Sequence, residues 1–88
     1  MLTPDTNDAE ALALSALAAT LADDRRAQRL LDLTGLTVDE LRARAGDRDI
    51  LGSALRFLED HEPDLLAVSV AIGVQPEALV DARRSLEA

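Results

Sequence analysis

The sequence predicts an all-α domain, a compact bundle of six short helices built as two similar three-helix units. Three observations carry that prediction. The segments Thr34-Gly35-Leu36-Thr37-Val38-Asp39-Glu40-Leu41 and Ile72-Gly73-Val74-Gln75-Pro76-Glu77-Ala78-Leu79 say the same thing, with their glycines 38 residues apart (73 − 35). Ser15-Ala16-Leu17 recurs at the same offset as Ser53-Ala54-Leu55. Helix-capping residues punctuate the chain throughout, and each glycine segment reads as a helix stop, an apolar plug and a capped restart. The expected division is a flexible N-terminus over 1–7 and one helical domain over 8–88, with units at about 8–46 and 47–88.

The elements follow in order. The first helix is expected from near Asp8 to Ala22, with Asn7 as N-cap and Glu10 three residues on, an imperfect capping box. The second starts after Asp23 and stops at Gly35, the residue suited to a left-handed C′ position. Thr37 and Glu40 form a full capping box that opens the third, which is expected to end at Gly46. Asp47 caps the fourth, which runs to about Asp60. Pro63 suits the first position of the fifth, and Gly73 stops it. Pro76 opens the sixth in the same way.

Leu65–Ile72 is a continuous apolar run rich in β-branched residues, which periodicity alone also allows as a buried strand. Its repeat counterpart, Ala27–Thr34, carries charges on a helical stripe of Leu30, Leu31 and Thr34, and no second strand candidate exists to pair with it. Helix is therefore expected. Alignment of the two units gives five identities, and apolar positions also agree, as at Leu12/Ile50, Leu30/Val68 and Leu36/Val74. Duplication accounts for this better than shared capping chemistry.

Composition narrows the function classes. The core must come from Leu, Ala, Val and Ile, because Phe57 is the only aromatic residue. With no cysteine there are neither disulfides nor thiolate metal sites, which suits a reducing cytoplasm. A net charge of −8 argues against generic binding to nucleic acid or anionic membrane. All nine basic residues are arginine, which with the alanine content points to a GC-rich bacterial genome. The apolar stretch Ala11–Ala22 follows Asp5, Asp8 and Glu10 rather than a basic region, and it is too short to span a bilayer.

Catalytic and metal chemistry find no foothold, so no catalytic residue, cofactor or metal ligand is assigned and no enzyme is expected. His61 is the only histidine, flanked by Asp60, Glu62 and Asp64. Adjacent residues point around a helix rather than together, so a solvated connection is the expected reading. Ser15, Ser53 and Ser69 sit in alanine-like contexts without a histidine nearby. The four glycines form no phosphate-cradling run. Gly52 falls inside the fourth helix, where close helix packing is its ordinary explanation.

The first helix is the most suggestive surface. Leu14, Leu17, Ala18 and Leu21 share one face, and Leu12, Ala16 and Ala19 share the opposite one. Such a helix is either central, with five others around it, or has one face completed by a second chain. The second possibility makes Leu12, Ala16 and Ala19 interface residues of a homodimer.

The arginines offer a different class of function. Arg25, Arg26 and Arg29 cluster on the second helix, and Arg83 and Arg84 lie on the sixth. Leu65–Leu86 threads onto a DNA-binding helix-turn-helix through Ser69, Gly73 and Leu79. The reading helix would carry Glu77 and Asp81 and no base-reading Asn or Lys. Local partners at Arg29/Asp32, Asp39/Arg42, Glu40/Arg44 and Arg83/Glu87 favour a solvated, self-paired face.

The run Glu10–Leu17, the Leu33-Thr34-Gly35-Leu36 turn with Asp39–Ala45 after it, Leu55-Arg56-Phe57-Leu58, and Gly73–Leu79 together resemble a family of short bacterial proteins. It is the family of domain of unknown function thirty-five seventy-two, found mainly in alphaproteobacteria. The resemblance covers nearly the whole chain. This sequence departs from the pattern at Ile72, where the second turn usually carries threonine, and at Arg25-Arg26, where apolar or acidic residues are expected. The resemblance implies a compact, all-helical cytoplasmic protein without assigned activity, and it brings no functional residues. The leading expectation is a non-enzymatic protein-interaction or regulatory module, as a homodimer if the first helix has an open face. The alternative is a helix-turn-helix nucleic-acid binder acting as a dimer.

Overall fold

The computed structural model describes residues 6–88, with side chains from Asp8 onward. Six helices follow one another: α1 (Thr6–Leu21), α2 (Asp24–Thr34), α3 (Val38–Ala43), α4 (Arg48–Glu59), α5 (Glu62–Ile72) and α6 (Pro76–Glu87). No strand occurs among the described residues, and the ambiguous run Leu65–Ile72 is helical within α5. Of the expected flexible segment 1–7, residues 1–5 lie outside the described residues, whereas Thr6 and Asn7 are already helical. Asn7 is therefore not the N-cap. First-turn amides have no intrahelical acceptor in any case, so a cap-forming residue type can sit inside the first turn as easily as before it.

The caps explain most of the other boundaries. The Asp23 carboxylate accepts the Arg26 amide at 2.9 Å and starts α2. At α3, Thr37 Oγ1 accepts the Glu40 amide at 3.1 Å while Glu40 accepts the Thr37 amide at 3.0 Å, a complete capping box. The Thr37 amide, and after it the Thr37 hydroxyl, lowers the pKa of the Glu40 carboxyl. Asp47 precedes α4 but makes no side-chain cap, because its carboxylate is held by Arg44 Nε at 3.1 Å. α3 ends at Ala43 rather than at Gly46: Ala45 and Asp47 amides bond back three residues, to Arg42 and Arg44 carbonyls, in tight turns that need no left-handed glycine. Pro76 occupies the first position of α6, and Pro63 the second position of α5, one later than expected.

The core is a three-helix centre of α1, α4 and α6, each packed on the other two. α5 lies against all three, α2 against α1, and α3 touches the rest thinly, with Leu41 as its buried residue. The core-facing arc of α1 runs through Ala9, Ala13, Ala16, Leu17 and Thr20. Alanines thus define its most buried line, which lets α4 and α6 approach closely, while leucines flank that line. α4 buries Ile50, Leu51, Ala54, Leu55, Phe57 and Leu58, and α6 buries Leu79, Ala82 and Leu86. Each fully buried leucine contributes about 1.5–3 kcal/mol relative to exposure.

The 38-residue period is visible in the boundaries. α2 and α5 begin at residues 24 and 62, and α3 and α6 begin at 38 and 76. Core positions correspond too: Leu17/Leu55, Leu30/Val68 and Leu41/Leu79 are all buried. The packing does not repeat with them. α6 lies against both α1 and α4, whereas α3 makes no comparable contact with either. The expected two-unit arrangement is therefore not reproduced in the tertiary packing, although element starts and core positions recur at the 38-residue offset. α3 is six residues long and α6 twelve, so only α6 extends far enough to contribute Ala82 and Leu86 to the centre.

Candidate functional site

The two glycines sit where the sequence places them, and for a conformational reason. Gly35 (φ 73°) and Gly73 (φ 74°) are the positive-φ residues of the described chain, each just past a helix end. A left-handed residue without a Cβ avoids roughly 1–2 kcal/mol of strain. An added Cβ would meet nothing within 4 Å at either position, so conformation alone selects glycine there. The joints close differently. At the second, the Gly73 and Val74 amides bond to the Val70 and Ser69 carbonyls at 3.2 and 3.0 Å, a Schellman pair. At the first, Gly35 bonds to Leu31 at 2.8 Å, while the Leu36 amide finds Thr34 Oγ1 at 3.3 Å. Ile72, at the position equivalent to Thr34, has no such oxygen. Leu36 and Val74 are the apolar plugs packed against the core.

The three interface candidates on α1 separate. Ala16 is fully buried in the chain's own core and is not available to a partner. Leu12 and Ala19 are half-buried and also pack against that core. Leu12 lines an open groove between α1 and α6 of about 320 Å³, with Asp8, Ala9, Ala78, Asp81 and Ser85. The opposite face behaves as an edge: Leu17 is buried, Leu14 is 46% exposed, and Leu14, Ala18 and Leu21 line a second groove with Leu41 and Ala45 of about 370 Å³. The helix faces inward along its alanines, which a reading weighted by leucine size misplaces.

Two ion-pair clusters tie helices together. Asp64, 4% exposed, receives Arg26 Nε on Oδ1 at 2.8 Å and has Arg29 Nη1 2.7 Å from Oδ2. The Arg26 contact is a well-formed hydrogen bond, whereas the Arg29 contact is an ion pair at a poor hydrogen-bond angle. Arg29 also stacks over Phe57, with its Cζ 5.1 Å from the ring centroid. Burial pushes the Asp64 pKa up, but the two guanidiniums outweigh it and hold the carboxyl below its usual range. Arg26 and Asp64 are 38 residues apart (64 − 26), the offset of the two glycine joints, and they pair with each other across α2 and α5. In the second cluster, Glu87 joins Arg56 and Arg83, and Arg83 also holds Glu59. The Arg56 hydrogen bonds, with those of Arg83, bring Glu87 down to about 2. Of the pairs expected within single helices, Arg83/Glu87 forms at 2.9 Å. Arg29 turns to Asp64 and Arg44 to Asp47 instead, and Asp39/Arg42 makes no ion pair among the described residues.

The remaining polar chemistry is tied up in structure or exposed. Ser69 donates to the Leu65 carbonyl and Thr20 to the Ala16 carbonyl, each at 2.7 Å. His61 is exposed as the N-cap residue of α5. Among the described residues no group of three or more His, Asp or Glu is placed to hold a metal ion. No single described helix is long and apolar enough to cross a membrane. α5 and α6 meet at 100° across Gly73-Val74-Gln75, within the range of helix-turn-helix units.

The surface that stands apart is the outside of α5. Pro63, Leu66, Val70 and Ala71 are exposed along it, Leu66 by 46% and Val70 by 82%. The helix that begins 38 residues earlier supplies an internal comparison. The positions 38 residues earlier are Arg25, Gln28, Asp32 and Leu33, all exposed on α2. There Gln28 donates to Asp32 across one turn at 2.8 Å, an ordinary solvated face. On α5 three of those four positions exchange a polar or charged residue for an apolar one, and the fourth is apolar in both. The sequence signal was available in the uncharged run Leu65–Ile72, but that run could equally have been buried all round.

Comparison with curated proteins and with solved structures gives no match. Residues 6–88, which span all six helices, match the family model described as protein of unknown function (DUF3572), and the chain belongs to that family.

Proposed function

We propose that the chain is a small, non-enzymatic protein-interaction or regulatory module of the bacterial cytoplasm, and that the outer face of α5 is its binding surface. One observation carries this reading: at equivalent exposed positions, α2 presents Arg25, Gln28 and Asp32 to water while α5 presents Pro63, Leu66 and Val70. Exposed apolar residues that adjoin along one helix face are characteristic of protein contact sites. The homodimer expected from α1 loses Ala16 as a contact residue, so a second copy, if one binds, would meet another surface.

The test is to give α5 the residues of its own counterpart, Leu66→Gln with Val70→Asp. Cross-linking and affinity capture from cells that express the protein should recover a discrete partner with the native chain and lose it with the double variant, whose circular dichroism stays unchanged. Identical partners for both proteins would refute the reading. The 100° joint between α5 and α6 favours a second reading, a helix-turn-helix nucleic-acid binder. Against it, Glu77 and Asp81 are the exposed residues in the first half of α6. A low-salt anisotropy titration with random duplex DNA decides it, and saturable binding would favour this second reading.

A further inference from the structure

We propose that the partner of the α5 face is a basic amphipathic helix, an inference that rests on that face being the binding surface. The apolar positions Pro63, Leu66, Val70 and Ala71 recur at helical spacing, so they form one stripe about two turns long, matched to the apolar stripe of another helix. The charges at its two ends have one sign. Asp60 and Glu62 stand at the start of α5, and Glu77 lies five residues past its end (77 − 72). All three are exposed, and none forms an ion pair among the described residues. Of the arginines on α2, Arg26 and Arg29 are engaged with Asp64, whereas Arg25 is exposed on that helix's own outer face.

This charge pattern discriminates between occupants. A second copy placed antiparallel across the stripe sets Glu62 of one chain toward the Glu77 end of the other. Placed parallel, it sets like ends together. Either way carboxylates approach carboxylates, which disfavours self-association. An anionic membrane surface meets the same repulsion, and the net charge of −8 adds to it. A helix with Leu or Val along one face and Lys or Arg at both ends satisfies the stripe and its rim together.

The experiment uses the full chain and two labelled model helices of about eighteen residues, one of leucine and lysine and one of leucine and glutamate, read by fluorescence anisotropy. The leucine–lysine helix should bind and the leucine–glutamate helix should not. The variant Leu66→Gln with Val70→Asp should weaken binding roughly tenfold or more, as expected for removing two apolar contacts. That direction is diagnostic, because the added carboxylate would strengthen a merely electrostatic attraction. The variant Glu62→Gln with Glu77→Gln, which keeps the stripe, should weaken it severalfold and reduce its salt dependence. If both peptides bind equally and the stripe variant abolishes both, the stripe docks partners but the basic-partner inference is overturned. If the stripe variant changes neither, both readings fall. A dimer in sedimentation velocity that Leu66→Gln with Val70→Asp dissociates would also overturn the inference, in favour of a second copy.

Discussion

The ion pair that links α2 to α5 gives the sharpest test of the packing. Asp64 is buried, with Arg26 Nε at 2.8 Å and Arg29 Nη1 at 2.7 Å, and Arg29 lies over Phe57. Asp64→Asn keeps the size and removes the charge, leaving an amide that cannot serve two guanidinium donors. Breaking one side of a buried pair typically costs about 3–5 kcal/mol. Here the arginine side chains remain 21% and 45% exposed and can rehydrate, which brings the expectation down to about 2–3 kcal/mol. For a domain of this size that corresponds to a fall in melting temperature on the order of 10–20 °C. The sign with pH follows from the lowered folded-state pKa. Asp64 binds its proton more weakly when folded, so its contribution is fully present above the ordinary aspartate value near 3.9 and is lost as pH falls below it. Urea titrations of the native chain and Asp64→Asn at neutral pH, and again below about pH 3, should show a gap that narrows in acid. Asp60→Asn, at an exposed and unpaired position nearby, is the control and should lie within about 0.5 kcal/mol of the native chain. If Asp64→Asn costs no more than Asp60→Asn, or the gap is independent of pH, the reasoning is wrong.

The other predictions concern single positions, each read by the same urea titrations. Gly52→Ala should be neutral or stabilising by up to about 1 kcal/mol, because an added Cβ meets only the Glu87 side chain at 3.5 Å and the helix gains propensity. That corrects the expectation that close helix packing requires this glycine, and a loss above about 1 kcal/mol would restore it. Gly35→Ala and Gly73→Ala should each cost roughly 1–2 kcal/mol from backbone strain alone, with no cavity or clash contribution. Thr37→Ala should cost about 1 kcal/mol through loss of the α3 capping box. Thr20→Val should stay within about 0.5 kcal/mol of the native chain, since the Ala16 carbonyl that Thr20 Oγ1 meets already belongs to the helix ladder.

What could be read from the sequence divides along physical lines. Glycine stops, proline starts and the Thr37/Glu40 box are local chemistry, and they place α2, α3, α5 and α6 to within a few residues. Local signals fail where a competitor is distant or ambiguous. Asp47 looks like a cap, but Arg44 takes its carboxylate. Arg29 and Asp32 look like a pair, but a residue 35 positions away (64 − 29) holds Arg29. The inward line of α1 is hard to pick out on a helical wheel because hydrophobic size and packing distance are different quantities: Ala13 and Ala16 are completely buried while Leu14 is nearly half exposed. The α5 surface was half legible. Its apolar run was plain, but which side the neighbours leave open depends on tertiary contacts that no helical wheel contains.

The 38-residue correspondence between α2 and α5 is what gives that surface its meaning. Two helices with the same length, the same glycine stop and equivalent buried residues, Leu30 and Val68, present different outer faces, polar on α2 and apolar on α5. Folding does not account for the difference, because a face of Arg, Gln and Asp serves α2 well in the same protein. Stability does not favour it either, since an exposed Val70 gains nothing from burial and β-branched residues are mediocre helix formers. The feature that fold and stability leave unexplained is therefore the one to test for function. Replacing Leu66 and Val70 by the Gln and Asp of α2 should leave the fold untouched, since both positions are exposed. A double variant that unfolds would show that these residues serve the core after all, and the functional reading of α5 would lose its foundation.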